Sequence, residues 1–140
     1  DYGEQLRPFI MPVKTWIDEG IRVTFEASGT DFWRPIYRLV TREVVDSETQ
    51  EKVILNLDEA VDRVTALKMV TTWGSEYMMA EDTIGTLEPG KFADFTVLDR
   101  DYFTIPVDDI LNITPVVTGL SGEILWNNLN GQEQLASWLQ

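Results

Sequence analysis

The chain has 140 residues, one domain's worth of protein, with 44% apolar and 11% aromatic residues, which is a globular rather than a disordered composition. Its net charge of −13 argues against nucleic acid and anionic membranes as partners, because both need clustered Lys and Arg. Cysteine and histidine are absent, which removes disulfides, thiol chemistry, Ser-His-Asp and Cys-His nucleophiles and nearly every zinc site.

In chain order, Arg7 to Val13 is apolar and carries Pro8 and Pro12. Pro12 suits the first turn of a helix through Val13, Trp16 and Ile17 that ends at Gly20. Ile21 to Phe25 alternates strictly and predicts a strand. Beyond it, Glu26-Ala27-Ser28-Gly29-Thr30-Asp31 is a small-residue loop with two carboxylates. Phe32 to Val45 predicts a helix, with Ile36, Leu39, Val40 and Val44 at helical spacing. Asp46 to Lys52 reads as a solvated link. Asn56 as N-cap with Glu59 as capping-box partner predicts a helix buried along Leu57, Val61, Val64, Leu67 and Val70. Thr71 to Gly74 breaks it, and Ser75 to Ala80 predicts a short second helix.

The character changes near Asp82, from helices to strands. Pro89-Gly90 predicts a type II turn, followed by a strand over Phe92 to Leu98 that is apolar on both faces. Asp94 shares one of those faces, so that side is half wet or supplies the carboxylate with a partner. Asp99-Arg100-Asp101 is a polar turn, and Pro106 to Leu111 predicts one helical turn. Thr114 to Thr118 and Glu123 to Trp126 predict a hairpin closed near Ser121-Gly122. Asn130-Gly131 predicts a turn, and Leu135, Trp138 and Leu139 a C-terminal helix.

The run Gly85 to Asp99 (Gly-Thr-Leu-Glu-Pro-Gly-Lys-Phe-Ala-Asp-Phe-Thr-Val-Leu-Asp) resembles the "GSLEPGKLADLVVLD" segment near the C-terminus of the amidohydrolase superfamily of metal-dependent hydrolases. Trp16 to Val23 resembles that family's "LLDAGVRVA" passage into the last barrel strand. Pro35 to Arg42 is similar to the "GIYAAVTR" helix of the amidohydrolase 3, YtcJ-like branch. Glu59-Ala60 and Ala66 to Thr72 resemble "EALRAYT", and Val97 to Asp101 with Ile105, Pro106 and Ile110 resembles "VVLDRDPLTVPPEEI". Together the matches cover roughly Arg7 to Trp126 in order.

The resemblance implies an α+β chain. Residues 1–81 would be the last strand and following helices of a (β/α)₈ barrel, and residues 82–140 the C-terminal part of a composite β-sandwich. It implies hydrolysis of non-peptide C–N bonds in the intact enzyme, with a divalent metal, zinc first, activating water and an aspartate after the last strand acting as base. The family's His ligands would lie upstream of Asp1, a start without methionine that suits a fragment. No metal and no hydrolysis are therefore expected of this chain alone.

The family's "GTD" pattern is matched by Gly29-Thr30-Asp31, making Asp31 the candidate catalytic aspartate and metal ligand. Strand alternation would place that residue nearer Ser28, and Asp31 reads equally as a helix cap for the segment from Phe32. Glu26 is the fallback carboxylate, more simply a solvated loop residue.

Two other classes of function stand beside the hydrolase fragment. One is a non-catalytic module that completes a separate N-terminal chain or self-associates. The other is a His-free enzyme using Glu26 with Asp31 in glycosidase fashion, weakened because 24 acidic residues in 140 make chance carboxylate neighbours common. Unpaired strand edges predict a homo-oligomer, a dimer first. Neither a membrane-length apolar run nor a leader is present, and a cytoplasmic location is the default expectation.

Overall fold

Pro12 offers no side-chain acceptor, yet Val13–Asp18 forms the first helix (α1). The helix closes as the sequence predicts. Gly20 donates its N–H to Ile17 at 2.9 Å and Ile21 donates to Trp16 at 2.9 Å, the paired bonds of a Schellman ending. The computed structural model describes residues 10–26, 31–129 and 134–135, and the chain divides into two compact units, 1–70 and 71–140.

In the first unit, residues 21–26 form no strand, contrary to their alternation. A strand is held by a ladder, and no described segment pairs with this one. It is fixed instead by Thr24, whose hydroxyl donates to the Met69 carbonyl at 2.6 Å. The second helix (α2) spans Trp33–Thr41, four residues short of the predicted end. Arg42 stops it by adopting a left-handed φ of 58°, with its N–H bonded to Arg38 O at 2.8 Å.

After α2 the chain forms a hairpin that helical spacing conceals: Glu43–Val45 (β1) pairs antiparallel with Lys52–Ile54 (β2). Its loop is closed by Asp46, whose carboxylate accepts the N–H groups of Glu48 at 2.9 Å and Thr49 at 2.8 Å. The predicted helix from Asn56 is also corrected. Leu57–Glu59 is only a 3-10 turn, Asn56 makes no side-chain cap, and Ala60 is extended.

The third helix (α3) is Arg63–Met69, capped by Asp62, whose side chain accepts Thr65 N–H at 2.8 Å. Its inward residues are Ala66 and Met69, fully buried, while Val64 and Leu57 of the predicted stripe are about half exposed. Capping at Asp62 instead of Asn56 moves the helix start and rotates the buried face. Ile36, Tyr37 and Leu39 of α2 and Val61 complete this core.

In the second unit, Thr72–Tyr77 forms α4, beginning inside the predicted breaker. Only Val70 and Thr71 interrupt the helical run. A four-stranded antiparallel sheet comes next, in the order Phe95–Leu98 (β3), Pro115–Leu120 (β4), Glu123–Asn127 (β5) and Gln134–Leu135 (β6). The predicted antiparallel sheet is found, with β3 paired to β4 and β4 to β5, and β3 carries two corrections. The strand is shorter than Phe92 to Leu98, and it is not covered on both faces, since Thr96 and Val97 are exposed. A register shift between Val97 and Leu98 interrupts the β3–β4 ladder at the strand end.

The turns are built as their residues dictate. Lys91 N–H bonds Glu88 O at 3.1 Å across Pro89-Gly90, with Gly90 at φ 98° as a type II turn needs. Ser121 at φ 51° and Gly122 at φ 84° make the type I′ turn of the β4–β5 hairpin. Asp94 finds its partner there, accepting Ser121 N–H at 2.7 Å.

Gly85 holds φ 95°, and a Cβ there would lie 2.2 Å from Ser75 Oγ. No other residue fits that approach between the loop and α4. Val107–Asn112 forms the expected short helix, a 3-10 helix, burying Ile110 completely. The predicted C-terminal helix is contradicted at Gln134–Leu135, which is strand; its remainder and the Asn130-Gly131 turn lie outside the described residues. No helix among the described residues is long and apolar enough to cross a membrane.

Candidate functional site

The carboxyl end of α2 gathers the polar chemistry of the first unit. With its backbone left-handed, Arg42 turns its side chain inward and is 6% exposed. Nε donates to Leu55 O at 3.0 Å and Nη2 to Ile10 O at 2.8 Å, while its own carbonyl accepts Leu55 N–H at 2.9 Å. One residue thus ends a helix, anchors the strand after the hairpin and holds the segment before α1. Desolvation lowers the Arg42 pKa, opposed by the field of Glu59.

Arg42 and Arg38, one helical turn apart, line a cavity of about 280 Å³. Leu39 of α2 and Phe25, Val44 and Leu55 supply apolar wall, and Glu26 lines the same space.

Glu59, predicted to cap its own helix, serves α1 instead. Its carboxylate accepts Thr15 N–H at 2.9 Å and the Thr15 hydroxyl, supplying the cap that Pro12 lacks. Burial pushes its pKa up, but the bonds from Thr15 and Lys14 and the charge of Arg42 outweigh this and leave it lowered. A carboxylate at the amino end of α1 and a guanidinium at the carboxyl end of α2 are each placed where the helix dipole favours them.

Asp31 lies at the amino end of α2. Its carboxylate accepts Arg34 N–H at 3.1 Å and Arg34 Nε at 2.6 Å, so it caps that helix. Both side chains are about half exposed, and such an ion pair contributes little stability. Glu26 is exposed and lines the cavity, whereas Asp31 does not. Among the described residues no three acidic side chains converge to hold a metal ion.

Sequence reasoning missed Arg38 and Arg42. Their signal is present: two arginines at i and i+4 of a helix, in a chain with 11 basic and 24 acidic residues. Nothing local shows that Arg42 is buried, because its acceptors belong to Ile10 and Leu55.

The amidohydrolase family profile matches residues 1–126. A 5-methylthioadenosine/S-adenosylhomocysteine deaminase from Thermodesulfovibrio yellowstonii is 32% identical over 103 residues, covering 72% of this chain and 23% of the deaminase. The chain thus spans under a quarter of that relative's length in the match. No solved structure matches it.

Proposed function

Because this chain belongs to the amidohydrolase family, we propose that it is the C-terminal portion of a metal-dependent hydrolase acting on non-peptide C–N bonds. The carrying observations are a family match along nine-tenths of the chain and a 103-residue match that spans only 23% of a relative named as a deaminase. Residues 1–81 would supply the end of a (β/α)₈ barrel and residues 82–140 part of a composite β-sandwich.

The described residues offer a divalent metal no assembled set of donors. The chain has no His or Cys, no three described carboxylates converge, and the Asp31 carboxylate is turned to Arg34. This supports a reading in which the metal of the intact enzyme, zinc by expectation, is held by residues outside these 140. What this chain offers the reaction is Asp31, on the Gly-Thr-Asp pattern, as the base that takes a proton from attacking water.

Two experiments test the reading. The purified 140-residue chain should hold no stoichiometric zinc by elemental analysis and show no deamination; stoichiometric zinc that Asp31→Ala abolishes would overturn it. Replacing the matching 103-residue region of the Thermodesulfovibrio deaminase by this chain should give an active chimera. Asp31→Asn should then lower its kcat roughly hundredfold or more. An active chimera indifferent to Asp31→Asn would remove Asp31 from catalysis and leave Glu26 to be tested in turn.

A second reading, a non-catalytic completing module that self-associates, is favoured by one observation. Among the described residues β3 pairs only with β4, and Phe92 and Val97 beside its free edge are exposed. Light scattering at micromolar concentration should report a dimer, and a well-folded monomer would contradict it.

A further inference from the structure

We propose that the cavity at the carboxyl end of α2 binds a small organic carboxylate with an apolar body. The site goes beyond the hydrolase reading and does not depend on it. Arg42 is the reason to expect an anion. It is 94% buried, as its 6% exposure implies, and no described carboxylate lies within ion-pair distance of its guanidinium.

Two of its five N–H donors are used by the Ile10 and Leu55 carbonyls. The guanidinium is largely buried but no nitrogen of it is both buried and unpartnered, so its spare donors face the open side of the cavity, where an ionised acceptor can meet them and a carboxylate matches the planar fork. Arg38, on the same face of α2, lines the same cavity and is exposed, so it stands where an incoming anion is first met.

The remaining chemistry narrows the ligand. The volume, about 280 Å³, sits at the small end of ligand pockets and excludes a nucleotide-sized molecule. Leu39, Val44, Leu55 and Phe25 offer apolar wall that inorganic phosphate would not use. Glu26 on the lining disfavours a second negative charge, so a monoanion is selected over a dianion.

The carboxyl end of α2 opposes any anion with about half a unit charge, and the carboxylates of Glu26, on the lining, and Glu59, whose field reaches Arg42, oppose it further. Binding therefore rests on direct charge-assisted bonds from Arg38 and Arg42 and not on the net field of the site.

The test titrates the 140-residue chain with benzoate by calorimetry at constant ionic strength, with benzamide as the neutral isostere and inorganic phosphate as the other anion. Benzoate should bind one to one and at least tenfold more tightly than either. Arg38→Gln should weaken benzoate about tenfold, the loss of one charge-assisted bond. Glu26→Gln should tighten it severalfold. Both residues are exposed, so circular dichroism of each variant should match the parent, whereas Arg42 variants risk unfolding. Equal affinity for benzamide, indifference to Arg38→Gln, or no saturable benzoate binding by the folded chain would each overturn the proposal. Tighter binding of phosphate would overturn the carboxylate class.

Discussion

The two units of this chain are held in different ways. In residues 71–140 two turns are made by residues adjacent in sequence: Pro89-Gly90 ahead of β3, and Ser121-Gly122 joining β4 to β5, although Asp94 also reaches Ser121 from 27 residues away. In residues 1–70 the elements are positioned by side chains that reach across the chain. Glu59 caps α1 from 44 residues away, and Arg42 bonds Ile10 from 32 residues away. Local closure makes a turn or hairpin readable from sequence, whereas long-range polar anchoring fixes elements by partners that a local window does not contain.

The largest effect expected is at Arg42. Arg42→Ala strands the Leu55 and Ile10 carbonyls and leaves alanine at φ 58°, so it should cost about 3 kcal/mol in urea denaturation. Arg42→Gly, which tolerates the backbone but also loses both bonds, should recover only part of this. Full recovery would mean that backbone strain and not the anchoring is what matters.

In the second unit, Gly85→Ala should cost about 2–3 kcal/mol, since its Cβ meets Ser75 Oγ at 2.2 Å. Ser75→Gly in the same chain should relieve the collision but not the cost of positive φ.

Glu59→Ala should cost about 2 kcal/mol, because it uncaps α1 and leaves the Thr15 N–H without its acceptor. Asp62→Ala removes only a local cap and should cost about 1 kcal/mol. Reversal of that order would undo the contrast between local and long-range anchoring. Gly122→Ala at φ 84° should cost about 1 kcal/mol by the same denaturation measurement.

The smallest effect is a pH dependence in the second unit. The Asp99 carboxyl is lowered to about 2, chiefly by its hydrogen bonds from Arg100 and, against a desolvation penalty, by the Thr114 N–H at 3.0 Å. A depressed carboxyl pKa contributes stability that is present above the unfolded value near 3.8 and is lost as pH falls through the folded value. Urea midpoints of the parent and Asp99→Asn should therefore converge between about pH 4 and pH 2. An unchanged difference across that window would mean that Asp99 carries no pH-dependent stability.

The same contrast separates what is legible in the sequence from what is not. The Schellman ending at Gly20 and the I′ turn that joins β4 to β5 depend on a few consecutive residues, and both can be read there. The extended segment at 21–25 cannot, because alternation describes a strand's faces and says nothing of whether a neighbour exists to pair with it.

The start of α3 is hidden because Asn56 and Asp62 are both good caps, and the choice turns on Glu59 being drawn away to Thr15. Of the candidate site, Asp31 is legible as a cap and as a family motif, and the structure shows the capping bonds to Arg34. The Arg38–Arg42 cavity is hidden because its lining is brought together from four separate stretches of chain.

On the proposed reading, these 140 residues complete a hydrolase whose metal ligands lie elsewhere in the same polypeptide. Sequencing the gene upstream of the Asp1 codon tests this most directly. An uninterrupted frame running back to a His-x-His motif is the expected result. A start codon for this chain preceded by an in-frame stop, with no such motif in frame, would contradict it.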